Sequence, residues 1–346
     1  MSGIYNDTYR DASDLTAVAR GAADAVEAAD LLTQLMPSTE SVTLDYNLDA
    51  DALGLAAAAS FRAYDATAPY GKETSVGSKR GSLPASSQKL QLGELKALRL
   101  RQATDDAIGI SMETKARNVG QAIAIRAIFA RAEAIADGKV TMDAENGLTV
   151  EIDFGRDSSQ TVTAGTPWST IGADAIGDML TWQAVLALYP PAGVLTSSAV
   201  VNALSKNTAI VQEVKGSATT LTRISRNDTI QVIRDFLGIS DVRVYDKTYT
   251  DMTGATRRPI AQDRFLFLPS FDGGVGDVGP VGQTLWGVPA EAFEDDYGIS
   301  IDDAAGIFAA AFKDTDPERF DILGSAIELP VPSAAGLKGV LSADVL

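Results

Sequence analysis

Apolar positions recur at helical spacing near the start of the chain. Leu15, Val18, Ala22, Val26, Ala29 and Leu32 or Leu35 share one face of a helix predicted from Asp11 to Leu35. Asp11 or Ser13 is the expected cap, and Pro37 the stop, because proline lacks an amide proton and clashes with the preceding turn. Residues 41–48 then alternate as a strand does. Residues 56–65 and 83–92 read as extended segments on either side of Pro69 to Gly81, a polar stretch with glycine at 71, 77 and 81. This is a long hairpin whose tip has nothing to bury. It is expected to be a long mobile loop that reaches a neighbouring subunit.

Leu95 to Asp137 carries the strongest helical pattern. Ala116, Val119, Ile123, Ala127, Ala130 and Ala134 form its stripe, widened by Ile125, Ile128, Phe129 and Ile135. A bend or restart is expected at Gly109, and a stop at Gly138. Val140 to Phe154 reads as two short strands about Glu145-Asn146-Gly147. Further helices are expected at 173–188, 199–206, 209–215 and 227–237, the last capped by Asn227 or Asp228. Strands are expected at 241–245, 264–268 and 320–329, with Val331-Pro332 as a proline-broken, edge-like continuation. No internal repeat is visible. This order describes α+β packing rather than regular βαβ units.

The 346 residues allow one large or two modest domains, and 45% hydrophobic content is ample for a core. There is no cysteine and no histidine. Thiolate chemistry is therefore excluded, and the commonest general base and metal ligand is missing. Residues 1–10 lack the basic flank and apolar run of an export signal. The apolar run from Val119 to Ile135 is interrupted by Arg126, Arg131 and Glu133, so no membrane span is expected, and the protein should be soluble and made in a cytoplasm.

A formal net charge of −17 disfavours sequence-reading contact with DNA, whose affinity comes largely from lysine and arginine at phosphates. The charge is uneven. Residues 1–60 hold ten carboxylates against two arginines, whereas residues 61–139 hold thirteen basic side chains against eight acidic ones. Either these are two solvated faces of opposite sign, or the segments meet across subunits.

Few motifs carry chemistry. Gly274-Val275-Gly276-Asp277-Val278-Gly279 matches a dinucleotide-binding pattern, but Pro280, Gly282 and Gly287 follow where a helix would have to begin. Glu294-Asp295-Asp296 and Asp302-Asp303 lack the spacing of a calcium loop and read as a solvated acidic face. Trp168, Trp182 and Trp286 read as core or interface anchors. No catalytic, cofactor-binding or metal-ligating residue is nominated, and no cofactor is expected.

One stretch is more specific. Gly138 to Arg156, containing Val140-Thr141-Met142 and Phe154-Gly155-Arg156, leads through Thr161-Val162-Thr163 to Thr166-Pro167-Trp168-Ser169. It resembles the lambda-type major capsid proteins of tailed bacteriophages, which carry Thr-Met after a long helix, then Gly-Arg, then Trp-Ser. The polar hairpin tip with Gly77 and Lys79-Arg80-Gly81 is similar to that family's extended loop, and Ser325-Ala326 and Leu329-Pro330 are similar to its ending. The resemblance covers the chain in order and is tight over 138–169.

The resemblance implies an α+β fold of the Hong Kong 97 type. Residues 1–40 would be an N-terminal arm and 41–94 an extended loop. Residues 95–169 would form a peripheral domain with a spine helix and sheet, and 170–320 an axial domain. Residues 321–346 would return to the boundary between the two. It implies a non-enzymatic shell protein that forms hexamers and pentamers of an icosahedral head around double-stranded DNA. Its partners would be copies of itself, a separate scaffolding protein, a portal and, in some heads, a decoration protein, with DNA held without sequence specificity and no membrane contact. The protein would be assembled in a bacterial host's cytoplasm and end in the virion. Some capsids of this fold join a loop lysine to a neighbour's asparagine; Lys72 and Lys79 are the lysines near the tip, but lambda-type shells are not expected to crosslink. Two alternatives are an encapsulin-like nanocompartment shell and an acidic cytoplasmic enzyme with a carboxylate-based site.

Overall fold

The computed structural model describes residues 4–48, 79–102, 106–145, 148–217, 219–251, 253–273, 278–300 and 303–346. Most of the expected loop, including Lys72 and Gly77, lies outside the described residues, as do Asn146-Gly147.

After strand β1 (Ile4–Tyr5), the predicted first helix is two helices, α1 (Ala12–Ala28) and α2 (Leu31–Leu35). The break is made by Asp30, whose carboxylate accepts the Leu32 amide at 2.9 Å and so caps α2. Strands β2 (Ser38–Glu40), β3 (Asp45–Leu48), β4 (Lys79–Ser82) and β5 (Ala85–Leu92) follow. The β3 and β4 strands pair antiparallel, from Asp45 with Ser82 to Leu48 with Lys79. The expected hairpin arm at 83–92 does not fold back on a partner arm but, as β5, pairs with residues 320–327, whose backbone offers it a full ladder; the other expected arm, 56–65, lies outside the described residues.

The long helical region is α3 (Glu94–Arg101) and α4 (Ala107–Asp137). Its break falls before Ala107, not at Gly109. There Arg10 reaches in from the arm and forks onto Asp106 with two bonds of 2.7 Å, and it also bonds Glu113. Gly138 ends α4 in the left-handed region, at φ 68°. Helix α1 lies along α4 so closely that a Cβ on Gly120 would stand 2.1 Å from the Ala19 carbonyl oxygen. Gly120→Ala should therefore cost about 1–3 kcal/mol by overpacking, although alanine is the better helix former by up to about 1 kcal/mol. Denaturant unfolding checks this, and an unchanged or raised midpoint would mean that the helices separate freely.

The chain continues through β6 (Lys139–Glu145), β7 (Leu148–Asp153), β8 (Thr161–Thr163), α5 (Ala175–Val185), β9 (Gly193–Thr196), α6 (Ser198–Leu204), α7 (Thr208–Lys215) and α8 (Arg226–Leu237). Helix α8 is capped by Ser225, which accepts the Asp228 amide at 3.1 Å, rather than by Asn227 or Asp228. Next come β10 (Asp241–Val244), β11 (Tyr249–Thr250), β12 (Thr256–Arg257), β13 (Arg264–Leu268), β14 (Gly282–Gly287), β15 (Phe308–Thr315), β16 (Glu318–Pro332), α9 (Ala334–Gly339) and β17 (Leu341–Asp344).

Two sheets organise these elements. The first runs β1-β15-β16-β14-β2, with β5 also paired to β16. It packs under α1 and α4 through Leu15, Ala19, Val119, Ile123, Ala309 and Ile322. The second runs β10-β9-β13-β17-β8 and packs with α5 to α8 around Trp168, Trp182, Phe265, Phe267 and Ile233. A third cluster bridges them, including Ile128, Ile135, Phe154, Leu266, Phe271 and Leu329. Residues 170–320 contribute to both sheets: β9, β10 and β13 to the second, β14 and β15 to the first.

Strand β16 runs unbroken through Pro330 and Pro332, which face Thr284 and Gly282 of β14. This differs from the proline-broken continuation expected. Pairing with β5 ends at Ile327, and the next amide on that side, Glu328, goes to the Pro84 carbonyl. Residues 330 and 332 point their nitrogens the same way as 328, to the side where β5 has ended. A missing amide proton costs no ladder bond there.

Candidate functional site

The densest polar structure in the interior centres on Arg131 of α4, which is fully buried. A buried guanidinium needs its donors satisfied, and four partners take up four of its five N–H groups. Nε donates to the Thr284 hydroxyl at 2.7 Å, and Nη1 to Thr33 at 2.9 Å. Nη2 donates to Glu27 Oε1 and to the Ser38 hydroxyl, both at 2.7 Å. Ser38 in turn donates to Glu27 Oε2 at 2.7 Å and accepts the Trp286 indole N–H at 2.9 Å. One side chain therefore ties α1, α2, β2 and β14 to the long helix.

Glu328 of β16 stands beside this network and is 5% exposed. Ser86 of β5 approaches Oε1 at 3.5 Å, and Oε2 has no hydrogen-bond partner among the described residues. Burial pushes the Glu328 carboxyl up to about 8, opposed by Arg131 and reinforced by Glu27. At neutral pH it is mainly the uncharged acid.

A second buried carboxylate, Asp30, locks the arm to the segment that follows β10 and to β11. It accepts the hydroxyls of Tyr245 at 3.0 Å and Tyr249 at 2.6 Å, and Lys247 Nζ lies 3.4 Å away. Burial, together with that carboxylate, holds both phenols above the ordinary tyrosine value.

The stretch from 138 to 169 has a physical role. Phe154 is buried and its amide bonds the Gly138 carbonyl at 3.1 Å. Arg156 folds back on the end of α4 and donates to the carbonyls of Ala134, Ile135 and Ala136 at 2.7–3.0 Å. These are the carbonyls a helix end leaves unpaired. Burial lowers the Arg156 guanidinium to about 10. Trp168 is fully buried, stacks on Trp182 at 5.5 Å, and donates its indole N–H to Asp178 at 2.9 Å. Trp182 and Trp286 are buried as well.

Among the described residues no group of three or more acidic side chains could hold a metal ion. Gly274 to Asp277 and Asp302 lie outside the described residues, but strand β14, not a helix, begins at Gly282. Lys79 donates to the Asp153 carbonyl at 2.8 Å within its own chain. No described helix is long and apolar enough to cross a membrane. Sequence reasoning missed the Arg131 network. Its one signal was a charge inside an apolar helical run, which had served only to exclude a membrane span.

Comparisons with known proteins bear on what such a framework is for. A family model described as phage major capsid protein E matches residues 31–337. Among solved structures, the putative capsid protein of a prophage from E. coli CFT073 is similar, with a TM-score of 0.60 and 15% identity over 97% of this chain and 99% of that one. A phage-related protein from Bordetella bronchiseptica RB50 is also similar, with a TM-score of 0.53 and 12% identity over 99% of this chain and 98% of that one. No curated protein sequence matches the chain. At such identities the structures establish the fold alone, and it is the α+β tailed-phage capsid fold of Hong Kong 97 type. The family match runs from the start of α2 into α9, so the chain belongs to the phage major capsid protein E family and is a structural protein of a phage shell.

Proposed function

We propose that this chain assembles with copies of itself into the hexamers and pentamers of an icosahedral head that encloses double-stranded DNA, and that it catalyses no reaction. The observation that carries this reading is the family match over 31–337. On this reading residues 1–40 act as the N-terminal arm, 41–94 as the extended loop and 95–169 as the peripheral domain, with α4 as its spine. Residues 170–320 supply the axial domain, and 321–346 return to the boundary. A separate scaffolding protein, a portal and, in some heads, a decoration protein would complete the particle. Assembly would take place in the host cytoplasm, with DNA held inside without sequence-specific contacts. An arm anchored through buried Glu27 and Asp30 supports the reading, since subunits that overlap neighbours need rigid attachment of the overlapping parts.

Negative-stain electron microscopy tests this on the protein expressed alone and with its neighbouring genes. Shells, rings or sheets of capsomers are expected. Closed shells carrying a cargo enzyme instead of DNA would move the reading to a nanocompartment. A uniformly dispersed small particle under both conditions would overturn it in favour of an acidic enzyme.

A further inference from the structure

The uneven charge of the chain becomes two helix faces that stand exposed among the described residues. On α1, Asp14, Ala17, Gly21, Asp24 and Ala28 recur at three- and four-residue steps, and all are exposed. On α3, Leu95 and Leu98 are 64% and 45% exposed, and Lys96 and Arg99 stand exposed beside them. The arm's own cations are used within the chain: Arg10 on Asp106 and Glu113, Arg20 on the carbonyls of Ile307 and Asp303. Asp14, Asp24, Lys96 and Arg99 are all exposed, and Asp24 acts on the neighbouring Arg20 through space. Burial first, and then Lys96, holds the Lys115 ammonium below its ordinary value, which places a further cation near Lys96.

We infer that the exposed face of α3 docks on the exposed face of α1 in a second copy of this chain. The inference rests on the shell reading above and names one contact within it. Charge sign matches, with carboxylates on one face and cations on the other, and complementary potentials favour this pairing over one between like faces. Shape matches as well. Ala17, Gly21 and Ala28 leave a shallow track in which Leu95 and Leu98 can be covered, and nothing lies within 4 Å of where a Cβ on Gly21 would sit. The two faces differ, so the contact is heterologous and passes from each subunit to the next, as a ring or shell requires.

Charge reversal in the full-length chain tests this. One variant carries Asp14→Lys with Asp24→Lys, and the other Lys96→Glu with Arg99→Glu. Each alone sets like charges against each other and should raise the concentration needed for assembly about tenfold or more in sedimentation velocity. A single chain carrying all four reversals should assemble again, because each acidic α3 face then meets a basic α1 face at every contact, in odd and even rings alike. Far-ultraviolet circular dichroism checks the fold. If a reversed chain unfolds, the neutral pairs Asp14→Asn with Asp24→Asn and Lys96→Gln with Arg99→Gln serve instead, with shifts of about threefold expected. Folded variants that assemble at the wild-type concentration, or a folded four-fold reversal that does not recover assembly, would overturn the contact alone. A wild-type chain that stays monomeric, with or without its neighbouring genes, would remove the shell reading and the contact together.

Discussion

Arg131→Ala is expected to destabilise the protein by about 3–5 kcal/mol, the loss seen when one partner of a buried ion pair is removed. The guanidinium is fully buried, and its four bonds hold Glu27, Thr33, Ser38 and Thr284 in place. Alanine would leave the Glu27 carboxylate in a dry site with only Ser38 to bond it. It would also release the ends of α1 and α2 from the long helix. Guanidinium-induced unfolding measures the loss, and a change below about 1 kcal/mol would show that the network is incidental. The double variant Arg131→Met with Glu27→Gln should recover much of it, because removing both charges removes the unpaired one.

Glu328→Gln should stabilise the protein, increasingly so as pH rises. The folded carboxyl titrates at about 8, well above the ordinary glutamate value. Between those two values the folded chain binds one proton more than the unfolded chain. Stability supplied by the protonated acid is therefore complete below the ordinary value and is lost as pH rises towards 8, at about 1.4 kcal/mol per unit. Glutamine does not titrate and avoids the loss. Near pH 7.5 the gain should approach roughly 3–4 kcal/mol as an upper bound, and it should vanish near pH 4. The groups acting on Glu328 are Arg131 and Arg126 of α4, Glu27 of α1 and Ser86 of β5. In a Glu27→Gln background Glu328 becomes the carboxylate that Arg131 lacks, so the advantage of glutamine at 328 should shrink or reverse. Unfolding curves at pH 5 and 7.5 read all of this. A pH-independent difference between wild type and Glu328→Gln would mean that the acid is already ionised.

Both effects arise where side chains distant in sequence meet, and there the sequence was least legible. The long helix was plain from its stripe of Ala116, Val119, Ile123 and Ala127, and the stop at Gly138 from residue type. The arm helix was legible too, but its break at Asp30 was not. Asp30 reads as one more polar residue until Tyr245 and Tyr249 are placed over it. Strands β14, β15 and β17 were missed. Ala309, Ala310 and Ala311 are buried on both faces, so no alternation marks them. Prolines at 330 and 332 suggested a broken edge, and only the end of β5 explains why an intact strand tolerates them.

Local spacing was enough for the two long helical regions and for the stretch from 138 to 169 that pointed to a capsid family, but not for the partner of 83–92, which is β16 rather than a hairpin arm. The sequence by itself also excluded cysteine and histidine chemistry outright. Only the folded chain shows which charges are buried, which carboxyl is neutral and which helix faces stand exposed. The physical reason is that spacing along the chain sets which residues share a face. Desolvation and pairing depend on what the rest of the fold brings to that face.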